Sequence, residues 1–210
     1  GARLDINAWV EGKTNKRIVD LIARGMIDDL TRMVLVNALH FDAKWEQKFK
    51  KSSTLENQPF HLDASGTNTT PCTMMNAKAH FAHVEHELFD YVELPYVGGE
   101  MAMQLLVPKA LDGLDAVLKT LTPTTLADLH TEAKSKLVSL GLPKFTVSGG
   151  GDITKTLKAM GLTLSFSDKG DYSGMLDGPA AGSKEEEGGL SFSDVVHKTF
   201  IKVDEEGTEA

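Results

Sequence analysis

Seven histidines and one cysteine are the side chains of this sequence best suited to metal or nucleophilic chemistry. His80, His83 and His86 stand three apart with Cys72 upstream, and imidazole and thiolate are common zinc ligands. That spacing gathers side chains on one face of a helix, whereas the run from Phe81 to Val97 reads mainly as extended chain. In a strand His80 and His83 point to opposite faces, so neither a metal nor a cofactor is expected. Cys72 reads as a small strand residue rather than a reactive thiol, and a lone cysteine excludes an intrachain disulfide. There is no G-x-S-x-G turn, no Walker loop and no dinucleotide fingerprint, so enzyme activity is not expected.

Asn37 and His197 raise a different chemistry, because each is a polar residue within an otherwise apolar strand-like run. A buried polar group without a partner costs about 1–3 kcal/mol. From the pattern alone they read as two core groups satisfied separately. The acidic run Glu185-Glu186-Glu187 reads as a solvated loop, and Asn68-Thr69-Thr70 is a glycosylation sequon that matters only in a protein secreted by a eukaryote. A net charge of −8 argues against a general nucleic-acid surface, though not against a local basic patch. No apolar run approaches the roughly 20 residues a bilayer requires, and Gly1-Ala2-Arg3 leads into a helical pattern without the shape of a signal peptide.

The elements that must position these residues follow from periodicity. Ile6, Trp9 and Val10 mark an amphipathic helix, and Ile18, Leu21 and Ile22 a short connection after it. Met33 to Leu39 is apolar apart from Asn37, the pattern of a strand covered on both faces. Phe60 to Leu62 and Thr70 to Met75 read as short strands around the turn Asp63 to Asn68. Phe89 to Val97 and Met101 to Val107 flank Gly98-Gly99 as a hairpin whose second strand is expected to be buried on both sides. Leu114, Val117, Leu118 and Leu121 form a helical stripe ended by Pro123. Val138, Leu140 and Leu142 alternate as a strand that continues beyond Pro143 to Val147. Ile153, Leu157 and Met160 define a short helix between Asp152 and Gly161, and residues 177 to 189 a polar loop. Helices and strands without regular βαβ alternation predict an α+β fold with mixed, largely antiparallel sheets.

The chain closes on a strand-like run, Val195 to Val203, that passes without a turn signal into Asp204-Glu205-Glu206-Gly207-Thr208-Glu209-Ala210. In the strand Val195, His197, Thr199, Ile201 and Val203 share a face. The small, acidic segment beyond it suits a chain that leaves a sheet yet keeps the option of rejoining it.

This ending resembles strand 5 of the main sheet and the reactive-loop hinge of the serpins, written V-x-H-K-x-x-x-x-V-x-E-E-G-T-E-A. The likeness runs the length of the chain in the family's order. Ile6-Asn7-Ala8-Trp9-Val10 with Thr14 is similar to the end of helix F. Val36-Asn37-Ala38-Leu39-His40-Phe41, with Trp45 and Phe49, is similar to strand 3 and its exit. Leu94-Pro95-Tyr96 resembles the second-sheet hairpin, and Leu142-Pro143-Lys144-Phe145 resembles strand 6. Gly161-Leu162, Phe166 and Asp171-Tyr172-Ser173-Gly174 resemble the helix and turn that follow.

The resemblance implies that residues 1–210 are the central part of a single serpin domain, lacking its N-terminal helices and its C-terminal reactive loop and closing strands. It implies a metastable, irreversible protease inhibitor. A target serine protease, less often a cysteine protease, cuts the loop, and the hinge then inserts between strands 3 and 5. Glu205, Glu206, Gly207, Thr208, Glu209 and Ala210 would form the hinge, with Thr208 the first side chain to turn inward. Asn37 and His197 would form the shutter, and Trp45, Lys144 and Glu205 the breach where insertion begins. The partners implied are the protease and the remaining segments of the same serpin, with no nucleic acid and no membrane. The compartment is not fixed, though the family leans toward an extracellular setting. The alternative is a non-inhibitory serpin that carries a ligand or chaperones a protein.

Overall fold

The computed structural model describes residues 1–28, 31, 34–37, 39–167, 169–172 and 191–210. Its backbone packs as two units, residues 1–40 with 148–200 and residues 41–147 with 201–210. The polar loop expected at 177 to 189 lies outside the described residues, as do Met33 and Ala38 of the run expected to be a strand.

In the first unit helix α1 spans Ala2–Lys13, with Asp5 in its first turn and Lys13 in its last, each on the side favoured by the helix dipole. Its buried Val10 and Asn7 face inward. The Asn7 amide donates to the Ile22 carbonyl at 3.0 Å and its oxygen accepts from the Ile22 N–H at 2.8 Å, which pins the connection beyond the helix. Thr14 fastens the same turn, donating to Val10 O and accepting from Ile18 N. The short helix α4, Thr154–Ala159, begins where Asp152 accepts from the Thr154 N–H at 2.8 Å, and Gly161 beyond it takes a φ of 100°. Both punctuation marks were legible as Asp152 and Gly161.

The run from Met33 to Leu39 departs from expectation. Residues 34–37 lie outside helix and strand, and Leu35 and Leu39 are 76% and 80% exposed. An apolar strand needs neighbours on both edges and cover on both faces, and the described residues supply neither here.

The second unit is built on a sheet. The strands of the chain are β1 (Asp42–Lys44), β2 (Thr54–His61), β3 (Thr69–Glu85), β4 (Phe89–Pro95), β5 (Ala102–Pro108), β6 (Lys134–Asp152), β7 (Val196–Val203) and β8 (Gly207–Glu209), of which residues 148–152 of β6 and 196–200 of β7 belong to the first unit. The order is β1-β8-β7-β6-β3-β4-β5, with β2 also paired to β3. Strand β3 is 17 residues long: one edge pairs with β6 from Thr73 to His83, the other with β2 and then β4. Met75, Ala79, Phe81, Leu140 and Leu142 alternate inward from β3 and β6 and join Trp45, Phe49, Leu94, Tyr96 and Val203 in the core. Burying each large side chain of this kind contributes about 1.5–3 kcal/mol.

The hairpin of β4 and β5 turns at Gly98 and Gly99, both at positive φ. The strand buried on both faces is β4 rather than the expected β5, in which Val107 is 47% exposed. Among the described residues β5 pairs only with β4, and its alternate side chains are exposed. Helix α2, Leu114–Thr120, buries Val117 alone of its expected stripe. Beyond it Pro123 starts a helix rather than only ending one. Helix α3, Pro123–Glu132, is capped by Thr122, which accepts from the Thr125 N–H at 3.0 Å. The Thr-Pro pair was a start signal that the leucine stripe obscured.

Candidate functional site

The chain leaves β7 at Val203 and turns back on itself. The Asp204 N–H donates to the Gly207 carbonyl at 3.1 Å, and the Asp204 carboxylate accepts from the Glu206 N–H at 2.9 Å. Strand β8 then runs antiparallel to both neighbours, pairing Val203 with Thr208 on one side and Ala43 with Thr208 on the other. Ala210 continues the register by exchanging two backbone bonds with Phe41. The expected hinge thus occupies the gap between β1 and β7 as a strand, and both ladders satisfy its backbone.

Gly207 is required by proximity rather than by φ. A β-carbon there would lie 2.1 Å from the Ala43 carbonyl oxygen and 2.8 Å from the Lys44 Cα, so only glycine lets β8 lie this close to β1. Thr208 points inward and is 4% exposed. Its hydroxyl accepts from the Tyr96 phenol at 2.8 Å. The Tyr96 ring stacks on Trp45 at 4.7 Å, and Trp45 donates its indole N–H to the Asp204 carbonyl at 2.8 Å.

Glu205 sits beside this group with 5% exposure. Lys144 donates to one carboxylate oxygen at 2.8 Å and Thr54 to the other at 3.1 Å. Lys144, foremost, holds the Glu205 carboxyl below its ordinary range, and the same bond raises the Lys144 ammonium above its own. A buried carboxylate is thereby kept charged with both oxygens in use. Glu206 faces solvent and pairs with Lys48 at 2.5 Å, an exposed contact of little energetic weight. Trp45, Lys144 and Glu205 therefore form one cluster at the turn from Asp204 to Glu206. Tyr96 and Thr54 belong to it although no spacing in the sequence marks them for this cluster: Tyr96 lies 112 positions from Thr208.

Asn37 and His197 are placed otherwise than expected. Both are exposed, Asn37 outside any strand and His197 on β7, and among the described residues neither side chain has a hydrogen-bond partner. The three clustered histidines are dispersed: His83 bonds Asp90 at 3.0 Å, His86 stacks on Phe89 at 4.3 Å, and His80 is exposed.

Comparison with known proteins places these features in context. A family model described as Serpin (serine protease inhibitor) matches residues 1–210. Human leukocyte elastase inhibitor is 35% identical over 216 residues, covering 100% of this chain and 54% of that protein. A loop-inserted structure of a cleaved ovalbumin mutant superposes with a TM-score of 0.88 at 30% identity, over 99% of this chain and 52% of that one. Human thyroxine-binding globulin, solved with thyroxine, gives a TM-score of 0.82 at 30% identity, over 100% of this chain and 53% of that one. The chain spans about half the length of the relatives it matches.

Proposed function

The chain belongs to the serpin family and carries about half of that fold, and on this premise we propose that the whole protein is an irreversible, suicide-substrate protease inhibitor. Residues 1–210 are the central part of its single domain. A serine protease is the foremost target and a cysteine protease the less frequent one. The protease nucleophile attacks a carbonyl in the loop beyond Ala210, the peptide bond breaks, the leaving amine takes the proton, and an acyl-enzyme forms. Insertion of the freed loop then carries the acylated protease away before water can hydrolyse the ester. The protein itself contributes no catalytic residue.

The observation that carries this reading is the place of β8, paired on both sides between β1 and β7 with Thr208 buried. A central strand gains two ladders of backbone bonds and buries alternate side chains, which supplies the drive for insertion. Small residues at Gly207, Thr208 and Ala210 keep the gap passable. Trp45, Lys144 and Glu205 act as the breach, where the first turn of the hinge docks. Asn37 and His197 act as the shutter.

The test is incubation of the full-length protein with trypsin-, chymotrypsin- and elastase-like serine proteases and a papain-like cysteine protease. A covalent complex that survives denaturing electrophoresis is expected with at least one. If every protease that cuts the loop leaves only cleaved protein, the second reading stands: a ligand carrier or chaperone, favoured by the likeness to thyroxine-binding globulin.

A further inference from the structure

Thr208 is the innermost side chain of the hinge, and what it meets there is a phenol rather than an apolar wall. The Tyr96 ring has little freedom to turn away. It lies flat on Trp45 with 12° between planes, meets Phe41 edge-on at 5.2 Å, and its backbone N–H is bound to the Met101 carbonyl at 3.0 Å. Its hydroxyl is therefore fixed in a site where the tyrosine is 5% exposed. Burial pushes the phenol above its ordinary range, so it stays protonated as a donor. The partner is presented by register: Thr208 lies opposite Ala43 and Val203, while Gly207 and Glu209 turn to the other face. A slip of one residue removes the hydroxyl from reach.

We propose that the Tyr96 hydroxyl is a positioning group that reads residue 208, locking the hinge in register and making insertion selective for a hydroxyl-bearing side chain over an apolar one of the same shape. The inference rests on the insertion reading and sharpens it. If burial alone drove the hinge inward, valine at 208 would insert at least as well as threonine. With the phenol beneath it, valine strands a desolvated O–H, and the ordering reverses. Removing the hydroxyl from Tyr96 as well relieves the conflict. The two residues should therefore be coupled, not additive.

The test uses the full-length protein and the variants Thr208→Val, Thr208→Ser, Tyr96→Phe and Tyr96→Phe/Thr208→Val. Two quantities are read: the ratio of cleaved to trapped product with an inhibited protease, and the denaturant unfolding of the loop-cleaved protein. Thr208→Val is expected to raise the ratio about fivefold and to lower the folding constant of the cleaved form about fivefold, the scale of one buried bond. Thr208→Ser should match wild type, and the double variant should be no worse than either single. The rate of first cleavage should not change in any variant, because neither residue lies in the segment that meets the protease. Additive single effects, or Thr208→Val at the wild-type level, overturn the inference. If the wild type traps no protease, the insertion reading fails instead. The unfolding of the cleaved variants then decides the coupling by itself, with non-additivity upholding the Tyr96 lock and additivity ending it.

Discussion

Glu205 and Lys144 are 61 positions apart in sequence, yet a 2.8 Å bond joins a carboxylate that is almost wholly buried to an ammonium that is half open to solvent. The bond joins β6 to the turn at the end of β7, so under the proposed function it reports on whether this turn is docked. Its pH dependence has a definite sign. The Glu205 carboxyl is held below 4.5 by Lys144 first and Thr54 among its other partners, so its stabilisation is present above that value and is lost as pH falls through the depressed one. The Lys144 ammonium is raised above 10.5, so the same bond is lost again as pH rises through that elevated value. Lys144→Met should lower the unfolding free energy of the inserted form by about 1 kcal/mol at neutral pH, at the low end for a charged hydrogen bond because the lysine is solvated. Denaturant unfolding of variant and wild type across pH should show the gap closing below pH 4.5. A gap that does not change with pH would mean that packing of the lysine stem, not the ion pair, accounts for it.

Gly207→Ala tests the close approach of β8 to β1. The added carbon would fall on the Ala43 backbone, which has no rotamer through which to yield, so the two strands must separate. Overpacking of this kind costs about 1–3 kcal/mol. The measured outcome should be a larger share of cleaved, untrapped protein with an inhibited protease and an unchanged rate of first cleavage. Wild-type partition in this variant would show that β8 reaches the gap by another path.

The residues that speak most clearly in the sequence are those whose cause is local. Gly98 and Gly99 announce a hairpin because their positive φ is a property of glycine, and Asp152 and Gly161 announce the ends of α4 for equally local reasons. Helix α3 has such a signal in Thr122-Pro123, where the proline that ends one apolar stripe also opens the next helix. The misjudged cover of β5 shows the limit of periodicity: an apolar run states that cover is wanted, not that it is present. Family likeness names Lys144, Glu205 and Tyr96 alike, but not the bond from Tyr96 to Thr208, because a tyrosine just past a strand has the same appearance whether its hydroxyl is spent on water or on Thr208. His197 and Asn37 show the converse, polar residues marked by pattern whose surroundings the described residues do not complete.

Residues 1–210 produced alone should self-associate. Leu35 and Leu39 stand in solvent at 76% and 80% exposure, and among the described residues β5 has an unpaired edge with Val107 open. Sedimentation velocity over the micromolar range should show species larger than a monomer that grow with concentration. A single monomeric species with a sharp, reversible unfolding transition would contradict this.

Thr208→Arg puts the heaviest demand on the site. The side chain at 208 enters beneath Tyr96 and opposite Val203, where a guanidinium would displace the Tyr96 bond; the Glu205 oxygens already serve Lys144 and Thr54, and Asp204 and Glu206 already pair with Lys202 and Lys48. An unpaired buried charge costs several kcal/mol even after relaxation. Insertion should slow while hydrolysis of the acyl-enzyme does not, so the two steps change order in rate. The variant of the full-length protein is then cut as a substrate by a protease that wild type traps. Electrophoresis under denaturing conditions should show the covalent complex with wild type and only the cleaved chain with Thr208→Arg. Equal yields of complex from the two would remove residue 208 from the path of insertion, and with it the assignment of β8 as the leading strand.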